Sequence, residues 1–575
     1  MSLTDDNAWW QKFGDTDNYR KFLTRPIAYF CAEFGLSSNL SLYAGGLGIL
    51  AGDVIREAAD RHFPMVGVGL YYHGDCEKHP GSVTKGLTPA ADRFSRRVTI
   101  KVPLRDNHIL VQAVKFEERS IPVYLLTTDV DGNSLADREI TANLYPSNKE
   151  KRLQQEIILG IGGLRLLEAL QIHPAIYHLN EGHSSLLALE IAAHETRERG
   201  IGFADGLELA KNRIVFTNHT LVPAGNDIFS NDMVAANLSK FAEELTIPVG
   251  DLVKLGLVQD SSLFSMTMLS LRLARKINAV SQFHAKKAAE TWTDHPMEGI
   301  TNGIHFPSWN RMGKSQISNL NPFDKLRSST PRSLRLEEID AERSRSIKSQ
   351  IWVMHQENKR ILLSHIHHVA GQSWPEDALL LGWARRIVGY KQPLALFADL
   401  DRLKKICLNS SRPVRLVISG NVQEGDEEGQ KLLEELKGLL DPALAVYLPN
   451  YNMDLAGLMT AGCDVWLNTP VVGFEACGTS GMKACLNGVL PLSTKDGWMA
   501  EIESYGIGWM LDSDRVSDSI YQILEDKIIP LYFDRKPDWM INMAQARQLI
   551  LDRFTTTKLL KEYVEKLYLP LLEIV

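Results

Sequence analysis

The feature that most constrains this chain is an alternation that recurs in both halves: a short β-branched run, then a longer stretch with helical periodicity. In the first half, 122–130 (PVYLLTTDV), 175–180 (AIYHLN) and 213–219 (RIVFTNH) read as buried strands, with 151–170 and 184–200 as amphipathic helices. In the second half, LLLGWARRI, VRLVISG, LAVYLPN and DVWLNTP read as strands, and ALFADLDRLKKICL, GQKLLEELKGLL and MDLAGLMTAG as the helices between them. Parallel strands need a crossover, so this alternation predicts mostly parallel sheets with helices on both faces. The 575 residues exceed what one core serves. The expectation is an α/β chain with two Rossmann-like, doubly wound domains, residues 1–305 and 306–575. The boundary falls near Asn302 to Trp309, and the polar stretch after it leads into a helical run through His368. The second sheet then begins near Ala378, and 538–575 is helical and free to pack back on the first domain. Ligands of such sheets bind beyond the carboxyl ends of the strands, so a cleft between two facing sheets is the expected active site.

Composition removes several classes. A net charge of -7 argues against a general nucleic-acid binder. The six cysteines are scattered without a CxxC pair, so no metal site and no disulfide framework is expected, and reduced cytoplasmic thiols are the plain reading. The amino terminus is acidic and lacks an apolar core, and no run of 18 apolar residues occurs. Neither a secretory signal nor a membrane span is expected. There is no internal repeat and no low-complexity block.

Three segments gather chemistry. Leu42 to Asp53 (LYAGGLGILAGD) sets three glycines before an apolar helical run. Glycines allow close backbone approach, and N–H groups at a helix start favour an anion. The pattern is neither G-x-G-x-x-G nor a P-loop, and a structural turn fits it as well as a phosphate cradle. Arg385-Arg386-Ile-Val-Gly-Tyr-Lys391 follows a predicted strand; its three cations suit a dianion or, equally, a solvated basic loop. Phe474 to Asn487 (FEACGTSGMKACLN) has a small-residue loop, Gly478 to Gly481, opening a short helix with Lys483. Such a loop can wrap a phosphate and such a lysine can join a carbonyl as a Schiff base; a plain strand-to-helix turn with an exposed lysine is the alternative.

The third segment matches the α-glucan phosphorylase signature E-A-[SC]-G-x-[GS]-x-M-K-x-x-[LM]-N at every position. AEFG (32–35), HLNEGH (178–183), TNHTLVPAG (217–225), TNGIH (301–305), RRIVGYK (385–391) and LPNYNMDLA (448–456) follow in that family's order. The chain therefore resembles the glycogen, starch and maltodextrin phosphorylases, most of all their short bacterial and archaeal branch. The resemblance implies two domains of the GT-B type, a homodimer, and phosphorolysis of a terminal α-1,4 glucosyl bond to give α-glucose 1-phosphate with retention. It implies pyridoxal 5'-phosphate on Lys483, whose phosphate serves in a proton relay. Thr479, Ser480, Gly481, Arg385, Tyr451 and Gly45 would contact that cofactor. Arg386 and Lys391 would bind the substrate phosphate and, with His219, form the catalytic group. Two phosphates about 4 Å apart repel by roughly 4 kcal/mol per unit pair at an effective dielectric near 20, which those cations offset. Gly46 and Leu47 would help to hold phosphate and substrate. Glu475, Tyr390, Asn302 and the backbone of Ala476, Cys477 and Gly478 would bind the sugar. His219 read alone is a satisfied strand-end histidine; Glu33 and His183 suit a supporting role as well as a direct one, and His305 a structural role.

Four departures from the family pattern stand out: Gln392 after Tyr390-Lys391, Asn421 in Gly420-Asn421-Val422, Val471-Val472-Gly473 before the signature glutamate, and Asn226 before Asp227. Most remove positive charge near an anion site. Two other classes share this architecture: sugar-nucleotide transferases such as glycogen synthase, and non-catalytic glucan binders. The former commonly carry Lys-x-Gly-Gly-Leu where this chain has Tyr43-Ala44-Gly45-Gly46-Leu47, and have no need of a Schiff-base lysine; the latter would bind the cofactor weakly or not at all, or hold it without phosphorolysis.

Overall fold

The alternation folds into two large sheets, each within its own compact unit, beside one short two-stranded ribbon, in a computed structural model. The structure describes residues 3–38, 40–78, 86–221, 226–258, 261–312, 341–423, 425–502 and 506–574. The polar stretch expected after Trp309 lies mostly outside them, as does 222–225 of TNHTLVPAG. No helix among the described residues is long and apolar enough to cross a membrane.

The first unit comprises Trp9–Val280, His284–Ile300 and Leu559–Val575. Its strands are β1 (Ile27–Phe30), β2 (Met65–Leu70), β3 (Thr88–Pro89), β4 (Ile100–Leu104), β5 (Asn107–Glu118), β6 (Ile121–Thr127), β7 (Ile176–Asn180), β8 (Ile214–Asn218), β9 (Ile228–Ser230), β10 (Leu263–Ser265), β11 (Lys276–Ala279) and β12 (Glu298–Gly299). The main sheet runs β12-β11-β8-β7-β1-β2-β6-β5-β3, with β4 on β5. From β12 to β6 every pairing is parallel. Counted in order of appearance, the strands around β1 stand 3-2-1-4-5-6, the doubly wound order. β1, β2, β7 and β8 are buried along their whole length, as strands covered on both faces must be. Antiparallel β3, β4 and β5 extend the sheet past β6, and β5 alternates buried with half-buried residues.

The second unit is mainly Thr301–Lys558, with Ser281–Phe283 and the amino-terminal segment through Ala8. Its strands are β13 (Leu379–Ala384), β14 (Val414–Ser419), β15 (Ala445–Leu448), β16 (Val465–Asn468), β17 (Leu490–Thr494) and β18 (Trp509–Leu511). They are all parallel in the order β15-β14-β13-β16-β17-β18, again 3-2-1-4-5-6. The long helix Ala341–Ala370 carries Lys359 and His355 onto Asp464 at the foot of β16, at 2.7 and 2.9 Å. The Leu380 N–H donates to the same carboxylate at 2.8 Å. Burial opposes ionisation of Asp464, but Lys359 and His355 outweigh it and hold the carboxyl at about 2. A buried ion pair stabilises little on balance, yet it fixes register, here that of β16 against β13.

The expected division at 305/306 falls instead between Ile300 and Thr301. The reason is local: the Ile304 N–H donates to the Phe554 carbonyl at 2.9 Å, and the Thr556 N–H to the Ile304 carbonyl at 3.0 Å. Backbone pairing thus ties TNGIH into the second unit. The last helical segment, Leu559–Val575, belongs to the first unit, where Tyr568 hydroxyl meets His178 Nδ1 at 2.7 Å.

Candidate active site

In each sheet the strand order reverses beside its first strand, and the loops leaving the two strands there form the binding crevice of a doubly wound fold. In the second unit these are the loops after β13 and β16. The first carries Arg385, Arg386, Tyr390 and Lys391; the second carries Glu475. Topology therefore brings together residues 84 and 90 positions apart. Arg385 Nη2 donates to Glu475 Oε2 at 2.9 Å, and Lys391 Nζ donates to the same oxygen. Burial works against Glu475 ionising, but Arg385 and Lys391 hold its carboxyl at about 2. Burial likewise lowers the Lys391 pKa, and Glu475 only partly restores it. Arg385 Nη1 is buried and has no acceptor among the described residues. The site is thus an anion-ready pair of cations sharing one internal carboxylate. Arg386 points elsewhere: it is exposed, with Nη1 3.4 Å from Gln423 Oε1.

Asp496 shapes the Glu475 loop. Its Oδ2 accepts from the Gly473 and Glu475 N–H groups, each at 2.9 Å, and its Oδ1 from Gly497 N–H at 2.8 Å. Burial pushes its carboxyl up to about 6 against those donors. Gly497, at φ 51°, can only be glycine: a Cβ would lie 2.3 Å from the Cys477 carbonyl oxygen. Gly478, at φ 85°, caps the helix Thr479–Leu486. On that helix Lys483 is buried, with Nζ 4.1 Å from the centre of the Trp309 ring and 3.5 Å from Thr479 Oγ1. Asn487 locks the arrangement: Nδ2 donates to the carbonyls of Lys483 and Trp309 at 2.9 and 3.0 Å, and Oδ1 accepts the Arg311 N–H at 2.8 Å. Ser480 Oγ accepts from the Trp466 indole at 3.2 Å, and Gly481 lies flat against Trp498. The Ala476 carbonyl takes Ser281 Oγ at 2.7 Å, and Cys477 takes the Asn302 backbone N–H. The side-chain oxygen of Asn302 is buried without a donor among the described residues.

In the first unit the corresponding loops follow β1 and β7. Glu33, just past β1, accepts the Ala44 and Gly45 N–H groups on Oε2 at 2.7 and 3.1 Å and the Tyr145 hydroxyl on Oε1 at 2.8 Å. The glycine loop therefore already holds an anion, an internal one. Gly45 caps the helix Gly46–Asp60; Gly46 is exposed and Leu47 half-buried at its first turn. Beyond β7, Glu181 sits at φ 77°, strained for a non-glycine residue. It accepts the His219 N–H at 2.9 Å and the Gly182 N–H at 3.2 Å, while burial raises its carboxyl to about 8. Burial, with His284 next in effect, lowers His219 to about 3, so its ring is neutral. With Asn180 Oδ1 2.6 Å from Nε2, the proton is assigned to Nε2, which leaves Nδ1 as an acceptor.

The departures have structural uses. Asn421 clamps the Tyr451 backbone both ways, donating to its carbonyl at 2.8 Å and accepting its N–H at 3.2 Å. Val471 N–H holds the Tyr390 carbonyl at 2.8 Å. Gln392 adopts φ 49°, and its N–H closes on Gly389 at 2.9 Å. Asn226 accepts from Thr267, and Asp227 pairs with Arg152 at 2.6 Å. Sequence reasoning missed Asp496, Glu181, Trp309 and the clamp made by Asn487. Only Glu181 and Asn487 lie inside motifs it had marked.

The sequence profile of the carbohydrate phosphorylase family matches residues 133–508. A maltodextrin phosphorylase of Thermococcus litoralis is 36% identical over 98% of this chain and 72% of its own length. Glycogen phosphorylases of Aquifex aeolicus and Mycobacterium tuberculosis are each 32% identical, over 97% and 98% of this chain and 87% and 73% of their own. This chain belongs to the carbohydrate phosphorylase family.

Proposed function

We propose that this chain is an α-glucan phosphorylase of the GT-B type, cleaving a terminal α-1,4-glucosyl unit with inorganic phosphate. The observation that carries the reading is the group Arg385, Lys391 and Glu475, with a buried guanidinium N–H left over for an anion. The names of the relatives, maltodextrin and glycogen phosphorylase, agree with it. Sugar-nucleotide transfer is not favoured by any of them.

Lys483 suits pyridoxal phosphate: a buried primary amine against an indole face, beside a helix start with small residues. Lys483 would hold the cofactor, with Thr479, Gly481, Arg385 and Tyr451 around it. When bound, the cofactor supplies a phosphate that can give and take a proton. Lys391 would bind the attacking phosphate with Arg385, whose Nη1 has no acceptor among the described residues; Arg386 would join them only by turning from its exposed position beside Gln423. Its oxygen forms the new bond to the anomeric carbon as the glycosidic C–O bond breaks, and the leaving oxygen takes the proton that the attacking hydrogen phosphate carries. Glu475, ionised throughout the neutral range, would accept sugar hydroxyls, as would His219 Nδ1 and Asn302 Oδ1. The N–H groups of Cys477 and Gly478 would donate to the sugar, with Ala476 and Tyr390 beside it, and Gly46 and Leu47 to the phosphate. Such pre-set donors and acceptors lower the barrier because they need no reorganisation.

Borohydride reduction of the purified protein followed by peptide mapping tests the cofactor, and release of glucose 1-phosphate from maltodextrin in phosphate buffer tests the reaction. A pyridoxyl adduct on Lys483 together with phosphate-dependent turnover is expected. Absence of any adduct after incubation with pyridoxal phosphate sinks the reading.

A further inference from the structure

At the end of the first sheet opposite the glycine loop, a cavity of about 180 Å³ opens at the amino ends of β8, β7 and β1, three adjacent strands. Arg25 precedes β1, Tyr177 is the second residue of β7 and Arg213 precedes β8; all three line the cavity. Most of the charge around it is already answered. Arg213 donates to the carbonyls of Pro174 and Ala175 at 2.5 and 3.3 Å and to Glu195 at 3.2 Å. His194 and Glu168 pair at 2.7 Å, and that carboxylate raises the imidazole pKa. Arg25 is left over. Its half-buried guanidinium has no acceptor among the described residues, and burial, then Arg213, lowers its pKa. Tyr177 is 3% exposed; its oxygen accepts from Arg213 Nη2 at 3.5 Å, and its own proton has no acceptor among the described residues. A guanidinium with no hydrogen-bonded acceptor among the described residues, felt only at longer range by Glu195, and a spare O–H donor therefore face one cavity, whose remaining wall includes Leu164 and Ile191.

We propose that this cavity binds a small phosphate monoester, its anion on Arg25 and the Tyr177 hydroxyl and its carbon skeleton along Leu164 and Ile191. The volume equals about six waters at roughly 30 Å³ each. That accommodates a phosphate with a short polyol and is too small for a nucleotide. The site stands at the opposite strand ends from Glu33, Glu181 and His219, so it is separate from the loops assigned to the reaction above.

Titration calorimetry on the full chain decides it, with glycerol 3-phosphate and inorganic phosphate as probes, on wild type, Arg25→Gln and Tyr177→Phe. Both probes can also enter the site of the proposed reaction, so stoichiometry is the readout. Wild type is expected to bind one equivalent of glycerol 3-phosphate more than Arg25→Gln. Tyr177→Phe is expected to keep that equivalent about tenfold more weakly, the effect of one hydrogen bond to a charged group. Melting temperature without ligand and the basal rate of glucose 1-phosphate release should be unchanged, since neither residue lies in the reaction machinery. Equal stoichiometry and affinity in all three proteins would overturn the site. Inorganic phosphate filling it as tightly as glycerol 3-phosphate would overturn the monoester assignment, because the apolar wall would then contribute nothing. Should Arg25→Gln fail to fold, the Tyr177→Phe affinity alone still decides.

Discussion

Replacing Glu475 by Gln tests the central electrostatic claim. The carboxyl is held at about 2 against an ordinary 4.5, a difference worth roughly 3 kcal/mol in favour of the ionised folded state. That is an upper figure, because burial also disfavours the charged form of Lys391, and the pair shares one environment. The variant keeps the shape of the side chain and leaves two cations facing each other, so a loss of about 2 kcal/mol at pH 7 is expected in urea unfolding. The sign of the pH dependence follows from a depressed folded pKa. The contribution is fully present above pH 4.5 and fades as pH falls toward 2. The gap between wild type and variant should thus be flat from pH 7 to 5 and shrink below it. Phosphate adds a second reading. With the internal carboxylate gone, Arg385 and Lys391 are free for an external anion, so inorganic phosphate should raise the melting temperature of the variant more than that of wild type. Equal stability of the two proteins at pH 7, or a smaller phosphate effect on the variant, would refute the reasoning.

Asp496→Ala removes the acceptor of three backbone N–H groups; at about 1 kcal/mol each, about 3 kcal/mol of stability should go, and turnover should fall further than phosphate affinity because the Glu475 loop slackens. Glu181→Gln should be more stable than wild type at pH 8, by up to about 4 kcal/mol, with the gap closing toward pH 5 in thermal melts. A carboxyl raised to about 8 stays protonated in the folded chain, so folding loses stability as pH rises from 4.5 through 8, and the amide has no such loss. Glu33→Gln takes a charge from the loop at Ala44 and Gly45 and should lower the KM for phosphate by about fivefold in initial-rate assays, an effect of roughly 1 kcal/mol.

Several of the strands read from sequence are buried on both faces, where apolar runs are continuous and short. RIVFTNH holds β8 (Ile214–Asn218) and DVWLNTP holds β16 (Val465–Asn468). β5 escaped notice: its burial alternates, with Ile109, Val111 and Ala113 inward, but the outer face carries Leu110 and Val114 as well as Gln112, so its sequence shows no clean polar–apolar alternation. β2, MVGVGL, is interrupted by two glycines that pack against neighbours, Gly67 with its Cβ position 2.9 Å from Val123. Neither the 3-2-1-4-5-6 order nor the meeting of the β13 and β16 loops is written in any local pattern; both come from pairing across more than 80 residues.

The same limit applies at the site. Local motifs marked the donors, namely the glycine loop, the RRIVGYK cations and Lys483, because donors for an anion have distinctive residue types. They did not mark what those donors face. Glu33 stands 12 residues from Gly45 and Glu475 stands 84 from Lys391, and each carboxylate sits on donors that suit an oxyanion. In both units an internal carboxylate holds the donors together, which otherwise repel or lie open to water, at hydrogen-bonding distance from one centre. That preorganisation costs affinity, since an incoming phosphate meets a like charge. Within the second unit, Asn421 holds the backbone of Tyr451 through its side chain, and the Val471 N–H holds the Tyr390 carbonyl. Glu33→Gln and Glu475→Gln are expected to move phosphate binding in the same direction, although they lie in different units. Opposite effects would mean that one of the two carboxylates only shapes its loop and does not compete with the anion.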